Sequence, residues 1–410
     1  MPVQAINTFK KHLNTVILLC SSSRGGSSIT TEWLRQHNGL LHLPAEINPL
    51  LHQVELVYPF SGSSDALDEN HCTKTVSEKL WHLLAHEVGS YHRGHLGTQE
   101  WVLFKEDLYK RLKIQWPTLN ITLSEVSDAL EQTRSVLKDE EQWGDDFVDA
   151  TQFHCRFIAI LRKSHSAIDP RLYDIDQQSI QQHFENLGPI VPPKTIIEEP
   201  PFVLISPWKR ATAQELQSKP LVIKTPSNAY RIPFFRQFFS NQKLKILHLK
   251  REAPQAINGL IDGWLYPRGF HAHWISDLRI REAQIPRGLW KYDLPPGFLK
   301  HKEASLGEIC AFQWSSSHKH ILDNIHLADS RKGIWFSEII NNKATSIRQL
   351  FLWAGLSESS NIPPIAQMPP VMATCKPRAK RWFEKKDIID VLTSLPHIQH
   401  CTERLYEATF

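Results

Sequence analysis

The chain has 410 residues, 41% of them apolar with 13 Trp and 19 Phe, and a formal net charge of +4. Such a composition excludes a disordered chain and is enough to bury the core of one large domain or of two to three ordinary ones. So mild a charge argues against the dense basic face of a nucleic-acid binder, and no apolar run reaches the roughly 20 residues that a membrane span needs.

Six cysteines (Cys20, Cys72, Cys155, Cys310, Cys375, Cys401) lie far apart, with no CxxC and no paired His at metal spacing. The expectation is reduced thiols in a cytoplasm, without a disulfide framework or a zinc site. Lys10 and Lys11 precede only five apolar residues, so no signal peptide is expected.

In chain order, the first informative stretch is 15–46, TVILLCSSSRGGSSITTEWLRQHNGLLHLPAE. The unbroken apolar run 16–20 predicts a strand buried on both faces, and Ile29, Trp33 and Leu34 recur at helical spacing, with Ser27, Ser28 or Thr30 able to cap the helix. A strand, a small-residue turn and a helix start make an anion cradle, because unpaired N–H groups and the helix dipole both face the turn. Gly25 and Gly26 let the main chain come close, Arg24 adds a charge, and Ser27 and Ser28 add hydroxyl donors. The loop departs from GxxxxGK[ST]: it has no Gly–Lys pair, and its cation precedes the glycines.

From about 51 to 220 the pattern becomes that of amphipathic helices. Helices are predicted over 77–91, 106–114, 123–137 with Thr122 as cap, and 147–161, followed by a proline-rich connector over 189–207. The acidic set Glu140, Glu141, Asp145, Asp146 and Asp149 reads as a solvated helix face. Alternating texture returns with a strand at 221–223 that ends in Lys224-Thr225-Pro226-Ser227-Asn228, then a helix carrying Ile232, Phe235, Phe238 and Phe239. A strand at 245–249 then runs into Lys250-Arg251 and a helix over 255–264. Alternation of this kind implies parallel strands flanked by helices, with a ligand at the strands' carboxyl ends, where Arg24, Lys224 and Arg251 all lie. Farther on, Phe312-Gln313-Trp314 is predicted to open a helix to Ile325, and 344–354 is a helix ending at Gly355.

These motifs resemble those of the sulfotransferases. Arg24-Gly25-Gly26-Ser27-Ser28 resembles their 5′-phosphosulfate loop, VIKTPSN at 222–228 the strand ending in Lys-Thr-His or Lys-Thr/Ser-Pro, and LKILHLKREAPQAINGLIDGW at 244–264 the 3′-phosphate segment. In that segment Pro254 falls one place late, and Gly259, beside Asn258, stands where the family has Ser. GIWFSEII at 333–340 is similar to the family's VRYEDL, and the helix ending at Gly355-Leu356 to its LRRLxxFLGL. Lys376, Arg378, Lys380 and Arg381 stand where the family has a flexible segment that closes over the nucleotide. The matches cover about 15–50 and 221–385.

The resemblance implies an α/β fold: a P-loop-like parallel sheet flanked by helices, with a large mostly helical insertion. On that division 1–50 is the first βα unit, 51–220 the insertion and acceptor cap, and 221–410 the rest of the core. It also implies 3′-phosphoadenosine 5′-phosphosulfate as co-substrate and no metal. Arg24, Gly25, Gly26, Ser27 and Ser28 would hold its 5′ end, Lys224 the bridging oxygen, Arg251, Asn258 and Gly259 the 3′-phosphate, and Lys376, Arg378, Lys380 and Arg381 the nucleotide from above. Because Pro226 replaces the His of Lys-Thr-His, the base is assigned to Glu46, in a segment that resembles the one giving tyrosylprotein sulfotransferases their catalytic Glu. His42, His271 and His273 are the reserve candidates and acceptor-lining residues.

The acceptor expected is a small specialised metabolite in a bacterial cytoplasm, with no nucleic-acid or membrane partner; a homodimer is left open. Two alternatives stand beside this. A phosphate-loop kinase or nucleotidase needs Ser or Thr after a loop Lys and a strand-end Asp, neither evident here. A catalytically silent nucleotide-binding protein on the same scaffold is suggested by the missing Ser.

Overall fold

The computed structural model describes residues 3–91, 96–139, 150–173, 175–188, 202–266, 272–356 and 362–410. The chain opens with α1 (Val3–His12), β1 (Thr15–Cys20), α2 (Ser27–Arg35), α3 (Asn48–Gln53), α4 (Lys74–Glu87) and β2 (Gly89–Tyr91). There follow α5 (Thr98–Gln115), α6 (Leu123–Asp139), α7 (Ala150–Leu161), α8 (Gln177–His183), β3 (Trp208–Arg210) and α9 (Ala213–Ser218). The second half runs β4 (Leu221–Lys224), α10 (Ile232–Phe238), β5 (Lys243–Lys250), α11 (Ala253–Leu265), β6 (Ala272–Trp274) and β7 (Leu289–Lys291). It closes with α12 (Leu306–Asn324), β8 (Ser330–Trp335), α13 (Phe336–Ile340), α14 (Ala344–Ala354), α15 (Lys386–Thr393) and α16 (Pro396–Glu407).

The chain is an α/β protein built on a four-stranded sheet in the order β4-β1-β5-β8, with every neighbouring pair parallel. Leu18 of β1 lies opposite Ile223 of β4 and Ile246 of β5. Successive side chains of a strand point to opposite faces, and both faces here are covered. Val16, Leu18, Ile223 and Ile246 pack with Phe234, Phe235, Phe238 and Phe239, and with Leu80, Trp81 and Leu84 of α4. Trp81 stacks on Phe238 with ring centroids 4.6 Å apart. Ile17, Leu19, Val222 and Leu247 pack on Trp33 and Leu34 of α2 and on Leu350 and Phe351 of α14. Burial on two faces is why these strands read as apolar runs rather than as alternating ones.

Within 51–220 the packing divides. Helix α4 and Leu216 of α9 join the sheet's core, whereas α5 to α8 close on a core of their own with Phe157, Ile158, Phe202 and Ile205. A further core gathers α11, α12, α15 and α16 around Trp264, Trp290 and Trp314, and this body carries the short ribbon β6–β7.

Three local expectations change. The helix predicted over 77–91 ends at Glu87, because Gly89–Tyr91 turns extended and pairs antiparallel with β3. Helix α12 starts at Leu306, before Phe312, because Ser305 and Glu308 form a capping box ahead of it. None of Ser27, Ser28 and Thr30 caps α2; its N-cap is Gly26, left-handed at φ 95°, with no side-chain cap hydrogen bond. The acidic set at 140–149, the start of the helix predicted from 147 and most of the proline-rich connector lie outside the described residues. No described helix is long and apolar enough to cross a membrane.

Candidate functional site

The loop after β1 is shaped by close approach. A Cβ on Gly25 would lie 2.1 Å from Ser21 Oγ and 2.7 Å from the Ser22 carbonyl, and one on Gly26 2.6 Å from the Phe336 ring, so both positions need glycine. Arg24 itself takes a left-handed backbone, φ 58°. The loop therefore folds tightly onto the start of α2, whose first-turn N–H groups have no side-chain cap. The Ser21 and Ser22 hydroxyls, buried beside Gly25, have no hydrogen-bond partner among the described residues. A buried donor without a partner is costly, and an anion in the cradle would satisfy it.

Arg24 and Arg251 are tied together. Arg251 Nη1 donates to the Arg24 carbonyl at 2.6 Å, and its guanidinium lies 5.3 Å over Phe336. Burial, then the charge of Arg24, pushes Arg251 down to about 10. The Arg24 guanidinium reaches the other way, donating to the Met372 carbonyl at 2.7 Å and to Thr374 Oγ1 at 3.4 Å.

Lys224 ends β4 and is buried. Its Nζ donates to Ser28 Oγ at 2.9 Å and to Glu46 Oε1 in a buried ion pair. Burial, with Arg35 and Arg24 nearby, pushes the Lys224 ammonium down from its ordinary value. The charge of Glu32 opposes that. Glu46 Oε2 is buried and carries no hydrogen bond among the described residues.

A cavity of about 510 Å³ opens over these groups, a volume in the range of small-ligand sites. Arg24, Gly26, Ser27, Ser28, Arg251, Asn258 and Gly259 line one wall; Lys376, Arg378, Lys380 and Arg381 line the strap across it. Gly25 lies in the loop beneath, and the Glu46–Lys224 pair sits just behind Ser28. At the far end Asp262 accepts from Asn258 Nδ2 at 3.1 Å and from Arg381 at 2.7 Å, and pairs with Lys385 at 2.5 Å.

His42 and His273 are not among the residues that line this cavity. His42 lines a separate cavity of about 110 Å³ with Arg35, Tyr91 and Trp208, and burial, reinforced by Arg35, pushes its imidazole far down toward the neutral form. His273 is buried in β6 opposite Trp290, its ring edge-on to Tyr58 with centroids 5.9 Å apart. His271 lies outside the described residues.

Sequence reasoning missed Asp262, Met372, Thr374 and a buried pair of acids, Asp65 and Asp293. Asp262 had a signal, four residues after Asn258 and so on the same helix face. Asp293 had none. It is buried, accepts from Ser23 Oγ and from Tyr230 OH, and burial pushes its carboxyl up to about 6. Among the described residues no group of three His, Cys, Asp or Glu is placed to hold a metal ion.

No family model matches the sequence, and no curated protein matches it. Among solved structures the chain is similar to a sulfotransferase domain from the curacin biosynthetic pathway, at 11% identity and a TM-score of 0.39 over 96% of this chain and 98% of that one. It is also similar to a sulfotransferase domain from the Synechococcus PCC 7002 olefin synthase, at 12% identity and a TM-score of 0.35 over 96% of this chain and 94% of that one. Overlaps this loose carry no weight for the chemistry, which stands on the residues.

Proposed function

We propose that the chain is a sulfotransferase that moves the sulfuryl group of 3′-phosphoadenosine 5′-phosphosulfate to a hydroxyl or amine of a small molecule. The observation behind this reading is the convergence of three parallel strand ends, with Arg24, Lys224 and Arg251, on one cavity and the wall just behind it. Sulfuryl transfer runs through a loose, in-line transition state, so positioning and charge stabilisation do most of the work.

When bound, the donor supplies a sulfuryl group whose bond to the bridging phosphate oxygen breaks as the acceptor attacks. The chain's own groups then have separate tasks. The Ser21 and Ser22 hydroxyls and the first turn of α2 hold the 5′ end, with Arg24 adding charge. Lys224 stabilises the charge left on the phosphate oxygen. Glu46 keeps Lys224 in place through Oε1 and takes the acceptor's proton at Oε2. Arg251, Asn258 and Arg381 read the 3′-phosphate. Six cysteines without a disulfide suit a reducing cytoplasm, and a specialised metabolite of a bacterial cell is the acceptor we favour.

Titration calorimetry tests the donor. The protein should bind 3′-phosphoadenosine 5′-phosphate at least about tenfold more tightly than AMP, since one charge-assisted contact to the 3′-phosphate contributes on the order of 1.5–3 kcal/mol. Equal affinity for the two nucleotides would sink the reading.

A further inference from the structure

Two buried carboxylates sit back to back beneath the cavity. Asp293 accepts from Ser23 Oγ on one oxygen, and from Tyr230 OH at 2.7 Å and Ser317 Oγ at 3.4 Å on the other. The next residue, Leu294, donates its N–H to Asp65 Oδ2 at 3.0 Å, and the Asp65 N–H returns to the Leu294 carbonyl at 2.9 Å. Asp65 Oδ2 also accepts from Ser227 Oγ at 2.7 Å, and Arg231 Nη2 lies 3.7 Å from its Oδ1. Each acid is 1% exposed.

The placement is specific. Ser23 directly precedes Arg24, whose left-handed backbone turns its carbonyl to Arg251. Ser227 follows Lys224 by three residues in the loop after β4. One carboxylate thus holds the loop after β1, the other holds the loop after β4, and the 293–294 backbone joins them. Burying two acids is costly, and an apolar pair would fill the same space without that cost. Three hydroxyls on Asp293, and on Asp65 one hydroxyl, one backbone N–H and a nearby guanidinium, offset it and at the same time are held in one place.

We infer that Asp293 and Asp65 are positioning residues, a brace that sets the loops of Arg24 and Lys224 at a fixed separation. The inference rests on the reading of these loops as the donor site, and the experiment separates the two. Amide hydrogen exchange is followed over 21–28 and 224–228 in the unliganded protein, alongside calorimetry with 3′-phosphoadenosine 5′-phosphate. Asp293→Asn and Ser23→Ala should each speed exchange over 21–28 and weaken nucleotide binding by about tenfold, the size of one hydrogen bond to a charged group. The double variant should lose less than the sum of the two, because both changes act on the Ser23–Asp293 contact. Ser227→Ala should speed exchange over 224–228 and leave 21–28 unchanged.

Ser23→Ala should keep the thermal midpoint, and Ser23→Thr, which retains the hydroxyl, should restore both readouts; a general loss of stability would do neither. Should Asp293→Asn fail to fold, Ser23→Ala decides alone. Unchanged exchange over 21–28 in a folded Ser23→Ala overturns the brace. A wild-type protein that ignores the nucleotide refutes the donor reading instead, while the exchange data still decide the brace.

Discussion

Lys224 and Arg24 are both cations at strand ends, yet their surroundings give them different consequences when removed. The Arg24 guanidinium ends on the Met372 carbonyl and the Thr374 hydroxyl at the cavity wall, so Arg24→Ala leaves no buried charge stranded. It should lower turnover by about tenfold to a hundredfold with an almost unchanged thermal midpoint. Lys224→Ala strands the buried Glu46 carboxylate, which costs about 3 kcal/mol or more, so here the midpoint should fall together with turnover. A sulfuryl-transfer assay paired with thermal melts checks both. A normal melt for Lys224→Ala would mean that the pair is not held as described. For Glu46→Gln the chemical step should slow by roughly 10²–10⁴ while donor affinity stays within a few-fold, since the amide keeps its shape but takes no proton. Near-normal turnover would remove Glu46 from the chemistry.

At the scale of elements, the cradle and the strap are fitted to each other. Gly25→Ala places a methyl group against Ser21 Oγ and the Ser22 carbonyl. The loop must open to admit it, and binding of 3′-phosphoadenosine 5′-phosphate should weaken by about a hundredfold, well beyond the cost of one contact. Calorimetry on the folded variant tests this, and wild-type affinity would show that the loop is not the cradle. The strap is latched at its other end: Asp262 on α11 is the common acceptor for Arg381 and Lys385. Asp262→Asn should loosen that latch and speed nucleotide dissociation by several-fold to about tenfold, as the loss of its two partly buried ion pairs allows. Stopped-flow release, followed through Trp382 in the cavity wall, measures it. An unchanged off-rate would place Asp262 outside the strap's control.

For the whole molecule, pH acts through histidines buried without charge. Burial lowers His154 to about 4 and His318 to about 3, and pushes His248 and His42 well below the ordinary value. The unfolded chain takes up protons at these sites from about pH 6.5 downward, whereas the folded chain does so only in stronger acid. Their contribution is complete above that pH and is lost as pH falls toward the folded values. Asp293 runs the other way, because a carboxyl raised to about 6 favours the folded state as it protonates. The buried carboxyl of Glu87, also raised by burial, acts in the same sense as Asp293; the four imidazoles outnumber the two acids, so the thermal midpoint should be lower at pH 5.5 than at pH 7.5, and equal midpoints would contradict it.

The sequence by itself determined the elements whose signals are local. Unbroken apolar runs marked β1, β4 and β5, because strands buried on both faces need no polar alternation, and the sheet they form is parallel. The glycine pair after Arg24 marked a close approach of backbone, because a Cβ has no room there. The basic strap was legible as a run of cations, and it lines the cavity. Only the tertiary structure decided what those groups touch. Glu46 meets Lys224 across 178 residues, Ser23 meets Asp293 across 270, and Arg24 meets Met372 across 348. Asp293 looks like any other acid in the sequence, and His42, near the cradle in sequence, lines another cavity. Contacts at such separations leave no periodicity and no spacing in the chain; they arise when parallel strands bring remote loops to one edge, and burial then gives each side chain its charge state and its partner.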